Sequence, residues 1–203
     1  EDNAMHLRYG ENPHQKGTFY GNFHKIFDQL HGREISYNNL LDIESAITLI
    51  SEFSETTLAI LKHNNACGIA SRPSVVEAWN DALAGDPVSA FGGIIVSNKK
   101  IDKIAAEEIN KIFFEIIIAP EYDKDALEIL QQKKNRIILA QKQTLHAEKQ
   151  FRSLLNGILV QDKDLSIQSA SDLKLVSKRS LEGSELEDLL FANKLVKHTK
   201  SNT

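Results

Sequence analysis

The chain has a single cysteine, Cys67. An internal disulfide is therefore excluded, no cysteine–histidine spacing for zinc is present, and the usage fits a reducing compartment. No apolar run approaches the ~20 residues a membrane helix needs, and no secretory pattern is visible. Positive charge is not in excess. The 24 Lys and Arg against 28 Asp and Glu leave a net charge of −4, which argues against a nucleic-acid or anionic-membrane surface as the main business. A local basic pocket for a phosphate is still compatible with it. The glycines form neither the dinucleotide nor the P-loop fingerprint, and there is no serine elbow. The expectation is a cytoplasmic protein with no nucleic acid and no membrane among its partners.

What is present is ordinary globular composition, 203 residues with 41% hydrophobic and 26% charged. The chain is organised around residues 57–70, TLAILKHNNACGIA. Residues 58–61 read as a buried strand that runs into Lys62 and His63, followed by a polar turn closed by Gly68. In open α/β sheets ligands bind beyond the carboxyl ends of strands. A base and a cation at such an end are candidates for chemistry. The competing reading, that they only cover a strand end, is the commoner one from spacing alone.

Residues 1–5, with EDNA ahead of Met5, read as an expression scar outside the fold. Residues 6–15 have no period and read as a loop. A short strand is expected at 17–20, and 31–36 reads as a turn that could hold a second short strand. Leu40, Ile43, Ile47 and Ile50 then fall at helical spacing and predict an amphipathic helix over 38–53. Its start, Tyr37, Asn38 and Asn39, offers first-turn amides that favour anions. Ser74 and Glu77 form a capping box for a helix that ends at Gly85. Residues 86–93, DPVSAFGG, read as a loop. Strands at 94–96, 115–120 and 137–140 alternate with helices at 101–113 and 123–132. This alternation predicts an α/β fold, a helix-covered mixed sheet that is largely parallel. Farther on, 155–161 reads as a strand interrupted at Asn156-Gly157, and 162–180 as a polar loop. Ser184 and Glu187 form a second capping box. A strand begins near 196, and Val196-Lys197-His198 echoes Leu61-Lys62-His63, which points to a second, duplicated unit cut short at 203.

Four loops carry the polar residues suited to chemistry: 8–15, 37–39, 62–68 and 89–93. Arg8 can grip a phosphate or carboxylate bidentately, or form a surface ion pair worth ~0–1 kcal/mol. His63 carries an imidazole, the side chain suited to a general base at neutral pH. Lys62 is the cation beside it. Neighbours in a strand point to opposite faces, so the two act together only where the strand is already turning. Phe91, with Gly92 and Gly93, can wall a planar ligand, or can equally be a core residue before a bulge. Glu115 can accept from a ligand amide or hydroxyl, or simply be a solvated carboxylate.

LRYGENPHQ, SYNNLLD, LKHNNACG, DPVSAFGGIIVSN, EIIIAPEYDKDALEIL and LVKHTKSN occur in this order. Together they closely resemble the transformylase part of the AICAR transformylase/IMP cyclohydrolase family, from about His6 to Thr203. The resemblance implies formyl transfer from 10-formyltetrahydrofolate, a co-substrate, to the 5-amino group of the AICAR nucleotide in purine (IMP) biosynthesis, with no metal required. It implies a homodimer with its site at the interface and two cytidine-deaminase-like repeats. On that scheme residues 6–195 are the first repeat and 196–203 the truncated start of the second. By motif, His63 would be the base and Lys62 would position and polarise. Arg8 and Tyr9 would hold the nucleotide. Asn39, Phe91 and Gly92 would meet its base or carboxamide, with Glu115 an acidic ligand-binding residue and Asn202 near the formyl group. Ala66 departs from the family, where many relatives have proline, so the loop after His63 is expected to be less rigid.

Two other classes compete. The isolated chain could be an inactive nucleotide-binding or dimerisation module. A deaminase-like hydrolase is disfavoured because zinc ligands are missing from the sequence.

Overall fold

The computed structural model describes residues 4–144 and 147–199. Two compact units divide after Thr144.

The first unit opens with a two-stranded ribbon, β1 (Ala4–His6) against β2 (Thr18–Tyr20). Ala4 and Met5 are therefore paired strand residues and lie inside the fold. A one-turn helix α1 (Phe23–Ile26) runs into β3 (Phe27–His31), and the turn expected at 31–36 is the connection that follows, with only its first residue, His31, in a strand. Next come α2 (Tyr37–Ile50), β4 (Thr57–Lys62), β5 (Asn65–Ser71) and α3 (Val75–Gly85). The 86–93 stretch contains a helical turn, α4 (Pro87–Ala90), capped by Asp86. β6 (Ile94–Ser97), α5 (Lys103–Ile109), β7 (Ile116–Ala119), α6 (Lys124–Leu130) and β8 (Ile137–Gln141) complete the unit.

Six strands form one sheet in the order β3-β8-β7-β6-β4-β5. Only β6–β7 and β7–β8 pair in parallel; β3–β8, β4–β6 and β4–β5 are antiparallel. The sheet is mixed, but the expected parallel majority is absent. The alternation of apolar strands with helices signalled parallel crossovers. The direct return of β4 into β5 carries no such signal, because β5 (NACGIAS) has little apolar content.

The pleat divides the buried strands between two layers. Leu58, Ile60, Ile95, Ile117 and Ile138 join Trp79, Ala105 and Leu130 of α3, α5 and α6 in one core. Ala59, Leu61, Ile94, Val96, Ile116 and Ile118 are equally buried and alternate with that set, while α2 packs on β4 and β6. Trp79 is the largest fully buried side chain, and truncating such a residue costs ~3–5 kcal/mol.

At the carboxyl ends of the parallel strands the connections zip together. Ile101 and Tyr122 form a parallel bridge. The Tyr122 hydroxyl donates to the Ile117 and Leu139 carbonyls at 3.1 and 3.0 Å, and burial pushes its pKa well up.

The second unit contains a hairpin, β9 (Lys149–Leu154) and β10 (Gly157–Asp162). Leu155 and Asn156 are its turn, Leu155 at φ 51°. The single strand expected over 155–161 is thus the return arm of a pair. Residues 163–180 are irregular apart from a 3₁₀ turn at Ala170–Asp172. A helix α7 (Glu185–Val196) follows, but Ser184 makes no side-chain cap; the Glu185 carboxylate accepts the Glu182 N–H instead, at 2.7 Å. Val196 closes this helix and opens no strand, so its likeness to Leu61-Lys62-His63 does not extend to local structure.

Candidate functional site

The strand register sets up one rim of the sheet. Leu61 pairs with Ile94, Ile94 with Ile116 and Ile116 with Ile137. One residue farther out on each strand stand Lys62, Gly93, Glu115 and Arg136. The ladder continues there, with Glu115 N–H donating to Gly93 O at 3.0 Å and Ile137 N–H to Glu115 O at 2.9 Å. This rim is the carboxyl end of β4 but the amino end of β6, β7 and β8. The rule for parallel sheets therefore holds here for β4 alone.

β4 does not dissolve into a loop closed by Gly68. It turns back through two residues, His63 and Asn64, into β5, with Lys62 opposite Asn65. Both turn residues have positive φ, 52° and 64°, as a I′ hairpin turn requires. His and Asn are among the residues that tolerate this region best. The strand is thus already turning at His63, so Lys62 and His63 are not held to opposite faces. The tip is tied to α2, because Asn64 N–H donates to the Asp42 carboxylate at 2.7 Å. The His63 ring is exposed to solvent, which suits a group that must reach a substrate. Ala66 lies inside β5 opposite Leu61, next to a register shift between Ile60 and Leu61, so it stands in a strand and not in a loop.

Lys62 reaches across the rim, its Nζ donating to the Phe91 carbonyl at 2.9 Å. That approach depends on Gly93, where a Cβ would fall 2.7 Å from the Leu61 carbonyl oxygen. Gly92 adopts φ 76° and donates its N–H to Phe113 O at 2.8 Å. Phe91 is 60% exposed and its ring lies 5.3 Å from that of Phe113, itself half exposed. Phe91 is not a core residue. The two rings, inclined at 49°, make an apolar surface open to a ligand.

Asn39 is buried at the start of α2. Its side chain accepts the Ser36 N–H at 3.1 Å, while Ser36 Oγ accepts the Asn39 N–H at 3.3 Å. The Asn39 amide then donates to Glu115 Oε2 at 3.3 Å, and Arg33 donates to the same oxygen at the same distance. The expected free first-turn amides are therefore largely spent, since Tyr37 N–H also donates, to Tyr9 O. The helix begins earlier than expected because its cap is Ser36, with asparagine three residues on in place of the usual Glu or Gln.

Arg8 and Tyr9 run beside that helix start, with Arg8 N–H bonded to Ile35 O. The Arg8 guanidinium stacks 4.7 Å from the Tyr9 ring centroid and donates to the Tyr9 hydroxyl at 3.0 Å. Its Nε is buried without a partner, a donor left for an anion. Asn202 lies outside the described residues. Among the described residues, no three His, Cys, Asp or Glu side chains come together as metal ligands, and no helix is long and apolar enough to cross a membrane.

Three contributors carried no visible signal in the sequence. Arg33 meets Glu115 from 82 positions away, Asp42 anchors the His63 tip, and Phe113 backs Phe91.

A model of the AICARFT/IMPCHase bienzyme family matches residues 1–203. The chain belongs to the AICARFT/IMPCHase bienzyme family. It is 67% identical over 201 residues to the bifunctional purine biosynthesis protein PurH of Bacteroides thetaiotaomicron, covering 99% of this chain and 40% of that protein. Against the protein of the same description from Rhodospirillum rubrum it is 50% identical over 206 residues, covering 97% and 39%. Against that of Chlorobium luteolum it is 46% identical over 213 residues, covering 100% and 41%. The chain thus spans about two fifths of the length of these relatives of the AICARFT/IMPCHase bienzyme family.

Proposed function

We propose that this chain supplies the amine-activating part of a formyltransferase site in purine (IMP) biosynthesis. The acceptor is the 5-amino group of the AICAR nucleotide, and 10-formyltetrahydrofolate supplies the one-carbon unit. The observation that carries the reading is the convergence on one rim of an exposed imidazole, a lysine, an aromatic wall and an Asn39–Glu115 pair. Family membership narrows the chemistry to the two activities of the bienzyme.

An amine conjugated to an aromatic ring is a weak nucleophile. As its nitrogen gains the formyl carbon it must lose a proton, and His63 is placed to take it. Lys62, held on the Phe91 carbonyl, keeps a positive charge beside the reacting groups. Phe91 and Gly92 flank the planar base, and Asn39 with Glu115 meets its carboxamide or a hydroxyl. Arg8, with its spare Nε, takes the phosphate beside Tyr9. Asn202 acts near the formyl group. The same reading makes the whole protein a cytoplasmic homodimer with cytidine-deaminase-like repeats.

The test is His63→Ala in the full-length protein. Formyl transfer should fall by ~10²–10⁴-fold with circular dichroism unchanged; near-normal turnover overturns the role. The chain's coverage of two fifths of its relatives favours a companion reading for the 203 residues alone, AICAR binding without turnover. Calorimetry with AICAR and an assay with both substrates test it, and robust turnover refutes it.

A further inference from the structure

A cavity of about 340 Å³ opens beside the rim, lined by Arg33, Phe113, Glu115, Lys133, Lys134 and Arg136 among others. It holds four cations and one carboxylate. That carboxylate is already engaged by Arg33 and Asn39. Among the described residues no acidic group pairs with Lys133, Lys134 or Arg136.

Arg136 is the unusual member. It is 3% exposed, and buried charges are ordinarily paired. Its guanidinium lies 3.9 Å from the Phe114 ring centroid. Nη1 donates to Asn110 Oδ1 at 2.7 Å and to the Leu130 carbonyl at 3.0 Å. Both acceptors are neutral, and Nε is buried with no partner. Burial lowers its pKa to about 10, so it remains a cation at neutral pH. Capping the end of α6 through Leu130 accounts for one bond. It does not account for the spare Nε, nor for two further lysines on the same concavity.

The loop is also built to stay in place. Arg136 N–H donates to Lys133 O at 3.0 Å, and His31 Nε2 lies 3.2 Å from the same oxygen. Gly32, at φ 101°, lets the backbone pass so close that a Cβ would sit 2.2 Å from Arg136 O.

We infer that this cavity binds an oxyanion, the phosphoryl or carboxylate group of a small organic molecule, through Arg136, Lys133 and Lys134. The inference does not rest on the reaction proposed above: the cavity shares Glu115 with that site, but Arg8, Lys62 and His63 do not line it.

The experiment is an NMR titration of the ¹⁵N-labelled 203-residue chain, following backbone amides and arginine Nε–H signals. Inorganic phosphate and glutarate are added separately at constant ionic strength, which separates specific binding from screening. The expected result is a saturable shift at Arg136 Nε–H and the amides of 132–136, with its own midpoint, separate from any response at Arg8. Lys133→Ala/Lys134→Ala should weaken it about tenfold, and Arg8→Ala should leave it unchanged. Both lysines are exposed, so that variant keeps its fold, as amide dispersion will show. Saturation by phosphate assigns a phosphoryl ligand and saturation by glutarate a carboxylate; either supports the inference. No saturable shift with either probe, or one that the double variant leaves intact, overturns it.

Discussion

Asp42 on α2 accepts a 2.7 Å hydrogen bond from the backbone N–H of Asn64, at the tip of the β4–β5 hairpin. A helix thereby fixes the turn that displays His63. Removing that acceptor should loosen the tip without touching the imidazole. In the full-length protein, Asp42→Ala should lower kcat for formyl transfer about tenfold, the scale of one hydrogen bond to a charged group. KM for AICAR should change less, and Asp42→Asn, which keeps an acceptor, should recover part of the loss. Steady-state kinetics on the pair checks this, and equal effects of both variants on stability alone would contradict it.

The Arg33–Glu115 pair tests binding against stability. Its side chains are 34% and 35% exposed, so the ion pair itself is worth ~0–1 kcal/mol. Glu115→Gln should barely move the urea midpoint. It should raise KM for AICAR about tenfold, the cost of ~1.4 kcal/mol of lost interaction. An unchanged KM would remove Glu115 from the nucleotide site.

Gly93 sits where no side chain fits. Gly93→Ala places a methyl 2.7 Å from the Leu61 carbonyl oxygen and 3.1 Å from that of Ala90, both backbone atoms. Overpacking of this kind costs ~1–3 kcal/mol. The 91–93 turn should move away from Lys62, so urea denaturation and transformylase activity should both report the change.

Cys67 tests burial on β5. Its thiol donates to the Ile60 carbonyl at 3.4 Å, and burial pushes its pKa above the usual 9.0. Since the thiolate is the reactive form, alkylation by iodoacetamide at pH 8 should be several-fold slower in the folded chain than in urea. The linked stability has a definite sign. The folded state holds this proton more tightly, so the contribution is complete below pH 9.0 and is lost as pH rises through the folded value. Equal alkylation rates would place the thiol in open solvent.

Much of this architecture could be read along the chain. Runs such as IIV and IIIA are continuously apolar because both faces of their strands are covered, while α2 declares itself by period and α3 by its capping box. β5 could not be read that way, since Gly68 and Cys67 pack against α3 and Ile60 with little apolar surface. The reversal of β4 relative to its neighbours was hidden with it. At the rim, the local motifs exposed Lys62, His63 and Phe91. Arg33, Asp42 and Phe113 gain their meaning only from partners distant in sequence, which no local pattern encodes.

The Ile101–Tyr122 bridge has a consequence for where variation can be tolerated. A phenol stitched to two main-chain oxygens leaves that pole of the molecule shut, like the crimped end of a tube. The rim proposed above for recognition lies at the other end of this sheet, at the starts of β6, β7 and β8 and the finish of β4. Side chains around Tyr122 should accordingly govern how long the protein survives heating, and leave what it handles unaltered.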